Sequence, residues 1–420
     1  MVMMDNFAIP LDTAAAVEHL MRFLSVEGVT GKEADIAASV IEALKAVGVS
    51  GENIRFDDAN ERIPLPTETG NLIVDLPGTR PGPRLLFSTH LDTVPLCAGA
   101  KPLRDGNRIV SDGTTALGGD ARTGVALLVV VAETLIKHSL PHPPITLLAE
   151  TLIKHSLRHP PITLLFTVRE ESGLHGAREL DPAVLGGPVM CVNVDGQLAS
   201  DLIIGAVGQE NWEAEIVGRA SHAGVAPETG ISATLVGALA LAEAYAAGWF
   251  GKIEKSDDRG TSNIGIFGGK DGMAAGDATN VVTDYAFLKG EARSPEPAFA
   301  KMIAEGYEAA FEKAKQAVKD RNGETARVTF IHHTAYPPFK LNENSPAVVR
   351  AAKAMKLLGL EPNYLFSNGG LDANWLDKHG VPTVTIGAGQ AEIHTVNEYV
   401  DLREYEKGCR LGVLLATMPE

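Results

Sequence analysis

Seven side chains of the two kinds that hold hard divalent cations, imidazole and carboxylate, fall at or next to the ends of predicted strands. They are His90, Asp92, Asp120, Glu170, Glu171, Asp195 and His394. A hydrolytic site with two metals needs such ligands, one carboxylate shared between the ions and one left unligated as a base. His90 and Asp92, in FSTHLDTVP (residues 87–95), stand at i and i+2 and so face the same way on a strand. Alone, that pair reads equally well as a surface loop end. Glu170 and Glu171 are adjacent like charges, unfavourable at a buried strand end without a cation; the bland alternative is a solvated acidic turn.

The elements that must position these residues follow an α/β pattern. Helical spacing at 13–24 and 31–47 precedes strands at 54–57, 71–76 and 84–91, and Asp105-Gly106 marks a hairpin over 103–109. Asp120 follows Gly118-Gly119 and precedes a helix over 122–138. A strand at 162–168 runs into Arg169-Glu170-Glu171, and another at 189–194 into Asp195. Strands alternating with helices imply a mainly parallel central sheet flanked by helices, with ligands gathered at the strands' C-terminal ends. From about residue 207 the order becomes strand (211–217), helix (231–245), two strands (263–267 and 280–292), helix (297–319) and strand (326–332). That series predicts an inserted ferredoxin-like α+β domain over 207–336. The α/β pattern resumes over 337–420, with a helix at 346–358, a strand at 383–387 and a last helix near 402–417. The expected catalytic domain is therefore 1–206 with 337–420.

One segment breaks the pattern. Residues 132–148, AETLIKHSLPHPPITLL, recur as 149–165, AETLIKHSLRHPPITLL, and differ only at Pro141 and Arg158. Repeat architectures stack several diverged units, so a single near-identical copy reads as a recent tandem duplication. The first copy continues the helix after Asp120 and the second continues the strand before Glu170. The economical accommodation extrudes residues 141–159 as a surface excursion. Copying also accounts for the four histidines there (His138, His142, His155 and His159), without a metal tract.

FSTHLDTVP, GGDARTGVA, TVREESGLHGA, NVDG and IHTVNEYV, in that order, resemble the dizinc metallopeptidase family of peptidase T, glutamate carboxypeptidase and aminoacylase. The nearest subgroup is the peptidase T-like tripeptidases, and the resemblance spans essentially the whole chain. It implies two Zn2+ ions, with Co2+ or Mn2+ as possible substitutes. His90 and Asp195 would hold one ion, Glu171 and His394 the other, and Asp120 both. Asp92 would support His90, and Glu170 would be the general base. In the insert, a lid and dimerisation domain, His222 would steady the oxyanion, and Arg293 and Asn280 would bind the substrate's terminal carboxylate. Gly369 and Gly370 would form a substrate loop. His175, His332, His333 and His379 are assigned to structure. Asp120 and Glu170 lie 50 positions apart, or 33 without the 17 repeated residues, close to the family's spacing.

The implied function is hydrolysis of short peptides, tripeptides above all. Cleavage of N-acyl amino acids is the alternative within the same family; a homologue made non-catalytic by the duplication is the alternative outside enzymes. A length of 420 residues suits two domains, and a formal charge of −16 argues against nucleic acid or an anionic membrane as partner. The three cysteines, Cys97, Cys191 and Cys409, are widely spaced, and the N-terminus has Asp5 and no apolar signal core. The most apolar run, 125–132, is too short to span a membrane. A cytoplasmic homodimer, paired through the lid, is expected.

Overall fold

The computed structural model describes residues 9–139, 157–276 and 278–419. The described residues form two compact units. One runs to Gly205 and takes up Lys340–Ser367 and the chain from Leu371 onward; the other comprises Ala206–Phe339 with Asn368–Gly370. The expected insert, 207–336, lies within the second.

The first unit is built on a mixed sheet in the order Ile54–Phe56, Leu72–Leu76, Ile162–Thr167, Leu85–His90, Cys191–Gly196, Thr383–Gly387 and Asp201–Ala206. The four central strands from Ile162–Thr167 to Thr383–Gly387 are parallel, and Leu72–Leu76 and Asp201–Ala206 flank them antiparallel. Sequences such as LLFSTH and ITLLFT, buried at every position, are what a strand covered on both faces requires. Parallel register aligns Leu85 with Ile162 and His90 with Thr167, so the polar ends of these strands arrive at one edge of the sheet.

The helix Gly119–Ser139 is the centre of the core. Residues 125–132, VALLVVVA, are all buried, as a helix apolar on every side must be. It packs on the strand Leu85–His90 and against the helices Thr13–Leu24, Ala34–Ala46 and Leu402–Thr417. Gly124 permits the approach to the sheet: a Cβ there would lie 2.1 Å from Thr89 Oγ1 and 2.5 Å from the Val194 carbonyl. The helix expected at 31–47 begins only at Ala34, because Gly31 takes φ +86° and the chain turns there instead.

In the second unit the sheet order is Gly251–Lys255, Asp258–Gly268, Tyr285–Ser294, Gly208–Val217 and Arg327–Tyr336, antiparallel throughout. The helices Ala233–Ala246 and Pro297–Ala317 pack on it, around a core in which Trp212 stacks on Tyr307 at 4.7 Å. Three strands therefore stand where two were expected between the helices. The extra one, Gly251–Lys255, buries only Ile253, which leaves no apolar alternation to read. The expected strand 280–292 starts at Tyr285, so Asn280 lies on a loop. Among the described residues no helix is long and apolar enough to cross a membrane.

The first copy of the repeat ends the helix Gly119–Ser139, and the second supplies the strand Ile162–Thr167. The expected excursion, 141–159, with His142 and His155, lies mostly outside the described residues. His159 is buried, its backbone amide donating to Thr79 Oγ1 at 3.0 Å. Removing residues 149–165 joins the helix to the strand through AETLIKHSLPHPPITLLFT, which spells both elements unchanged. The deleted protein should keep its activity and its melting temperature to within about 2 °C. A loss of either in calorimetry or assay would show that the repeat has become structural.

Candidate metal centre

His90 ends the strand Leu85–His90, and its imidazole is held from behind. Nδ1 lies 3.0 Å from the Asp92 carbonyl oxygen, so it carries a ring hydrogen and leaves Nε2 as the nitrogen that faces the site. Nε2 faces two carboxylates, Asp120 Oδ1 at 3.1 Å and Asp195 Oδ1 at 3.6 Å. His394 reaches the same carboxylate from the other side. Its Nε2 is 3.2 Å from Asp120 Oδ2 and 3.0 Å from Glu171 Oε2. Asp120 thus divides two groups of donors, one for each of its oxygens. His90, Asp120 and Glu171 bring ligand atoms within 4.8 Å of one another, a grouping able to hold a metal ion.

The local backbone is set for this convergence. Asp120 precedes the regular part of its helix with φ −80° and ψ 110°, and the Asp120–Ala121 peptide is cis. His394 (φ +63°) and Arg169 (φ +52°) occupy the left-handed region, uncommon for residues with a Cβ and concentrated at functional sites. Asp92 is fully buried and accepts the amides of Glu170 and Glu171, at 3.0 and 3.2 Å, on its two oxygens. Glu170, also buried, makes no side-chain hydrogen bond among the described residues, whereas His394 lies exposed at the rim.

The electrostatics express crowding. Burial, with a smaller push from Asp120, lifts the Asp195 carboxyl to about 6, and burial lifts Glu171 to about 7 against the pull of His394. Burial and the charges of Asp195 and Asp372 raise Glu170 well above the carboxylate range, although His90 pulls the other way. Burial opposes charge on His90, but Asp120, Asp195 and Asp92 outweigh it and hold the ring well above its ordinary value. Asp120 and Glu171 draw His394 up to about 10. Burial would raise Asp120, yet its hydrogen bonds to His394 and His90 keep it below the usual range. The site therefore takes up protons or a cation to balance its acceptors, and a mixed imidazole and carboxylate donor set fits a divalent metal.

Three residues that the motifs did not single out complete the centre. Glu398, in IHTVNEYV, accepts the amides of Leu117 (2.9 Å), Gly118 (2.8 Å) and Asp120 (3.1 Å), fixing the turn that carries Asp120. Gln390 Nε2 donates to Asp120 Oδ1 and Asp195 Oδ1, each at 3.2 Å, while its Oε1 faces the Thr123 hydroxyl at 2.9 Å. Asp372 is buried, accepts the Thr167 hydroxyl on Oδ2, and is pushed up to about 7 by burial.

The remaining predicted site residues belong to the second unit. His222 is exposed, its Nδ1 accepting the Gly224 amide at 3.1 Å. The Asn280 carbonyl accepts the Ala223 amide at 2.9 Å, and the Asn280 side chain is exposed. Arg293 pairs with Glu291 through Nε and Nη2 at 3.0 and 2.9 Å, and its Nη1 lies 3.5 Å from the Asn368 carbonyl. Gly370 abuts the Tyr336 ring, 2.5 Å from where a Cβ would sit. Of the histidines assigned to structure, His332 pairs with Glu210 and His379 bonds the Ala177 carbonyl.

A largely parallel α/β sheet that carries His90 and buried carboxylates at its strand ends is the framework of a metallopeptidase, and the family match agrees. The chain belongs to peptidase family M20/M25/M40, whose model matches residues 145–417. It is 30% identical over 400 residues to the uncharacterized protein YqjE of Bacillus subtilis, covering 95% of this chain and 96% of that one. The aminopeptidase PepT of Bacillus cereus superposes with a TM-score of 0.78 at 30% identity, over 97% of this chain and 98% of its own. A Staphylococcus aureus tripeptidase reaches 0.81 at 27% identity, over the same shares.

Replacing Glu398 by alanine strands three buried amides. The expected loss is about 3 kcal/mol in denaturant unfolding, with metal affinity weakened about 10-fold or more. Glu398→Gln, whose single oxygen can accept the Leu117 and Gly118 amides but whose NH2 would then face the Asp120 amide, should recover only part of both.

Proposed function

We propose that this peptidase hydrolyses short peptides, tripeptides above all, with two divalent metal ions and Glu170 as general base. The observation that carries the reading is the division of donors about Asp120. His90 and Asp195 stand with one oxygen and His394 and Glu171 with the other. The first pair would hold one ion and the second pair the other, with Asp120 common to both; zinc suits this donor set, and cobalt or manganese could occupy it. When bound, the metals would polarise the scissile carbonyl and make the attacking water acidic.

The chain's own groups supply the proton traffic. Glu170 takes the water's proton as the new carbon–oxygen bond forms, and gives it to the amine nitrogen as the carbon–nitrogen bond breaks. Its burial, and its lack of a side-chain hydrogen bond among the described residues, suit a group that must accept and release one proton per turnover. Asp92 keeps Glu170 and Glu171 in register through their amides, and holds His90 through its carbonyl. His222 would steady the oxyanion. Arg293 and Asn280 would bind the peptide's terminal carboxylate, for which a guanidinium offers a two-pronged donor, and Gly369-Gly370 would let the substrate approach the backbone. The PepT and tripeptidase neighbours support short peptides as the substrate class.

The protein is further proposed to be a cytoplasmic homodimer paired through residues 207–336. Leu235, Leu239 and Tyr245, exposed on the helix Ala233–Ala246, and three buried, unpaired cysteines support that reading.

Glu170→Ala should retain about two metals per chain and lose tripeptide hydrolysis by a factor of about 10³ or more. Metal analysis and kinetics on the same preparation check this; an active Glu170→Ala enzyme would remove Glu170 from the mechanism. A panel of tripeptides against acetylated amino acids should show hydrolysis of the peptides, and a preference for the acetylated compounds would overturn the substrate assignment.

A further inference from the structure

The residue pair Glu170-Glu171 is held by more than Asp92. The amide immediately before it, that of Arg169, donates to Glu33 Oε1 at 3.2 Å, and the same oxygen accepts the Gly31 amide at 2.7 Å. Three successive amides, 169, 170 and 171, therefore end on two buried carboxylates, Glu33 and Asp92. The left-handed turn at Arg169 (φ +52°) helps present them as one concave set of donors. Glu33 is fully buried, and its Oε2 has no hydrogen-bond partner among the described residues. An acid with a bare buried oxygen is a costly way to fill space. It stands at the start of the helix Ala34–Ala46 yet caps no amide of that helix.

The loop that carries Glu33 is fastened to both halves of the site. Thr30 donates its amide to the Thr93 carbonyl at 2.9 Å, and the Thr93 amide donates to the Gly28 carbonyl at 3.1 Å, next to the His90–Asp92 segment. Thr30 Oγ1 donates to Ser172 Oγ at 2.9 Å, just beyond Glu171. Gly31 brings the loop so close that a Cβ there would lie 2.2 Å from the Arg169 guanidinium. That guanidinium is itself tied to Thr67 Oγ1 at 2.7 Å and to the Pro66 carbonyl. Arg122, buried between them, donates to the carbonyls of Leu91 and Gly28. The loop thus spans the two turns whose side chains must meet, and Glu33 is its point of contact with the turn bearing the base.

We propose that Glu33 is a positioning residue for hydrolysis: with Asp92 it clamps the backbone of Arg169-Glu170-Glu171, fixing where the Glu170 carboxylate stands. It touches neither substrate nor metal and acts through the turn. The proposal rests on Glu170 being the base. Burial, then the charge of Asp92, push the Glu33 carboxyl up to about 7, so its acceptor oxygen, present in either protonation state, is the feature that matters.

The test uses the full-length, metal-loaded enzyme in three forms, Glu33→Ala, Glu33→Gln and Glu170→Ala. Tripeptide kinetics, metal content and hydrogen–deuterium exchange over residues 169–171 are measured on each. Glu33→Ala should lower kcat about 10- to 100-fold while KM stays within about threefold and metal content is unchanged. Exchange over 169–171 should quicken. Glu33→Gln, which retains Oε1, should return kcat to within about threefold of the parent. An unaltered kcat in Glu33→Ala, whatever its melting temperature, would overturn the proposal, as would a glutamine variant no better than alanine. If the alanine variant does not fold, Glu33→Asp takes its place: the carboxyl is drawn back by one methylene, so a reduced kcat supports the clamp and a full kcat overturns it. Activity persisting in Glu170→Ala would instead overturn the base assignment, which keeps the two failures distinct.

Discussion

Too many acceptors converge on Asp120 for the site to stand without positive charge. Each oxygen of this one carboxylate faces an imidazole nitrogen that also faces another carboxylate, Asp195 on one side and Glu171 on the other. In water such a gathering would disperse. In a buried setting the like charges and the lost hydration are both expensive, and the free energy has to come from elsewhere in the fold. Much of the first unit can be read as the answer to that requirement.

The answer has two layers. The parallel strands bring His90, Asp195 and the Glu170-Glu171 turn to one edge because their register leaves no freedom to do otherwise. The helix Gly119–Ser139 then presses Asp120 toward that edge, close enough that Gly124 must lack a side chain. Behind these elements, carboxylates hold backbone amides rather than cations. Glu398 fixes the turn before Asp120, Asp92 fixes Glu170 and Glu171, and Glu33 fixes Arg169. Acidic side chains thus build the frame as well as the site, consistent with a chain of formal charge −16.

What the sequence made legible was whatever leaves a local signature. LLFSTH and ITLLFT are apolar runs that end in polar residues, and a strand buried on both faces has to look so. The adjacent acids Glu170-Glu171 stood out because their neighbours in sequence make them costly. Glu398 and Gln390 left no such trace: they act on Asp120 from 278 and 270 positions away, through bonds that any acid or amide could make. Glu33 was hidden for the same reason, and the glycine turn at Gly31 was absorbed into a helix that begins three residues later. The strand Gly251–Lys255 went unread because a single buried isoleucine carries no period.

Anomalous diffraction from crystals of the zinc-loaded protein tests the central claim most directly. The account predicts two peaks in the first unit, one against His90 and Asp195, the other against His394 and Glu171, with Asp120 touching both. A single peak, or two that do not share Asp120, would contradict it.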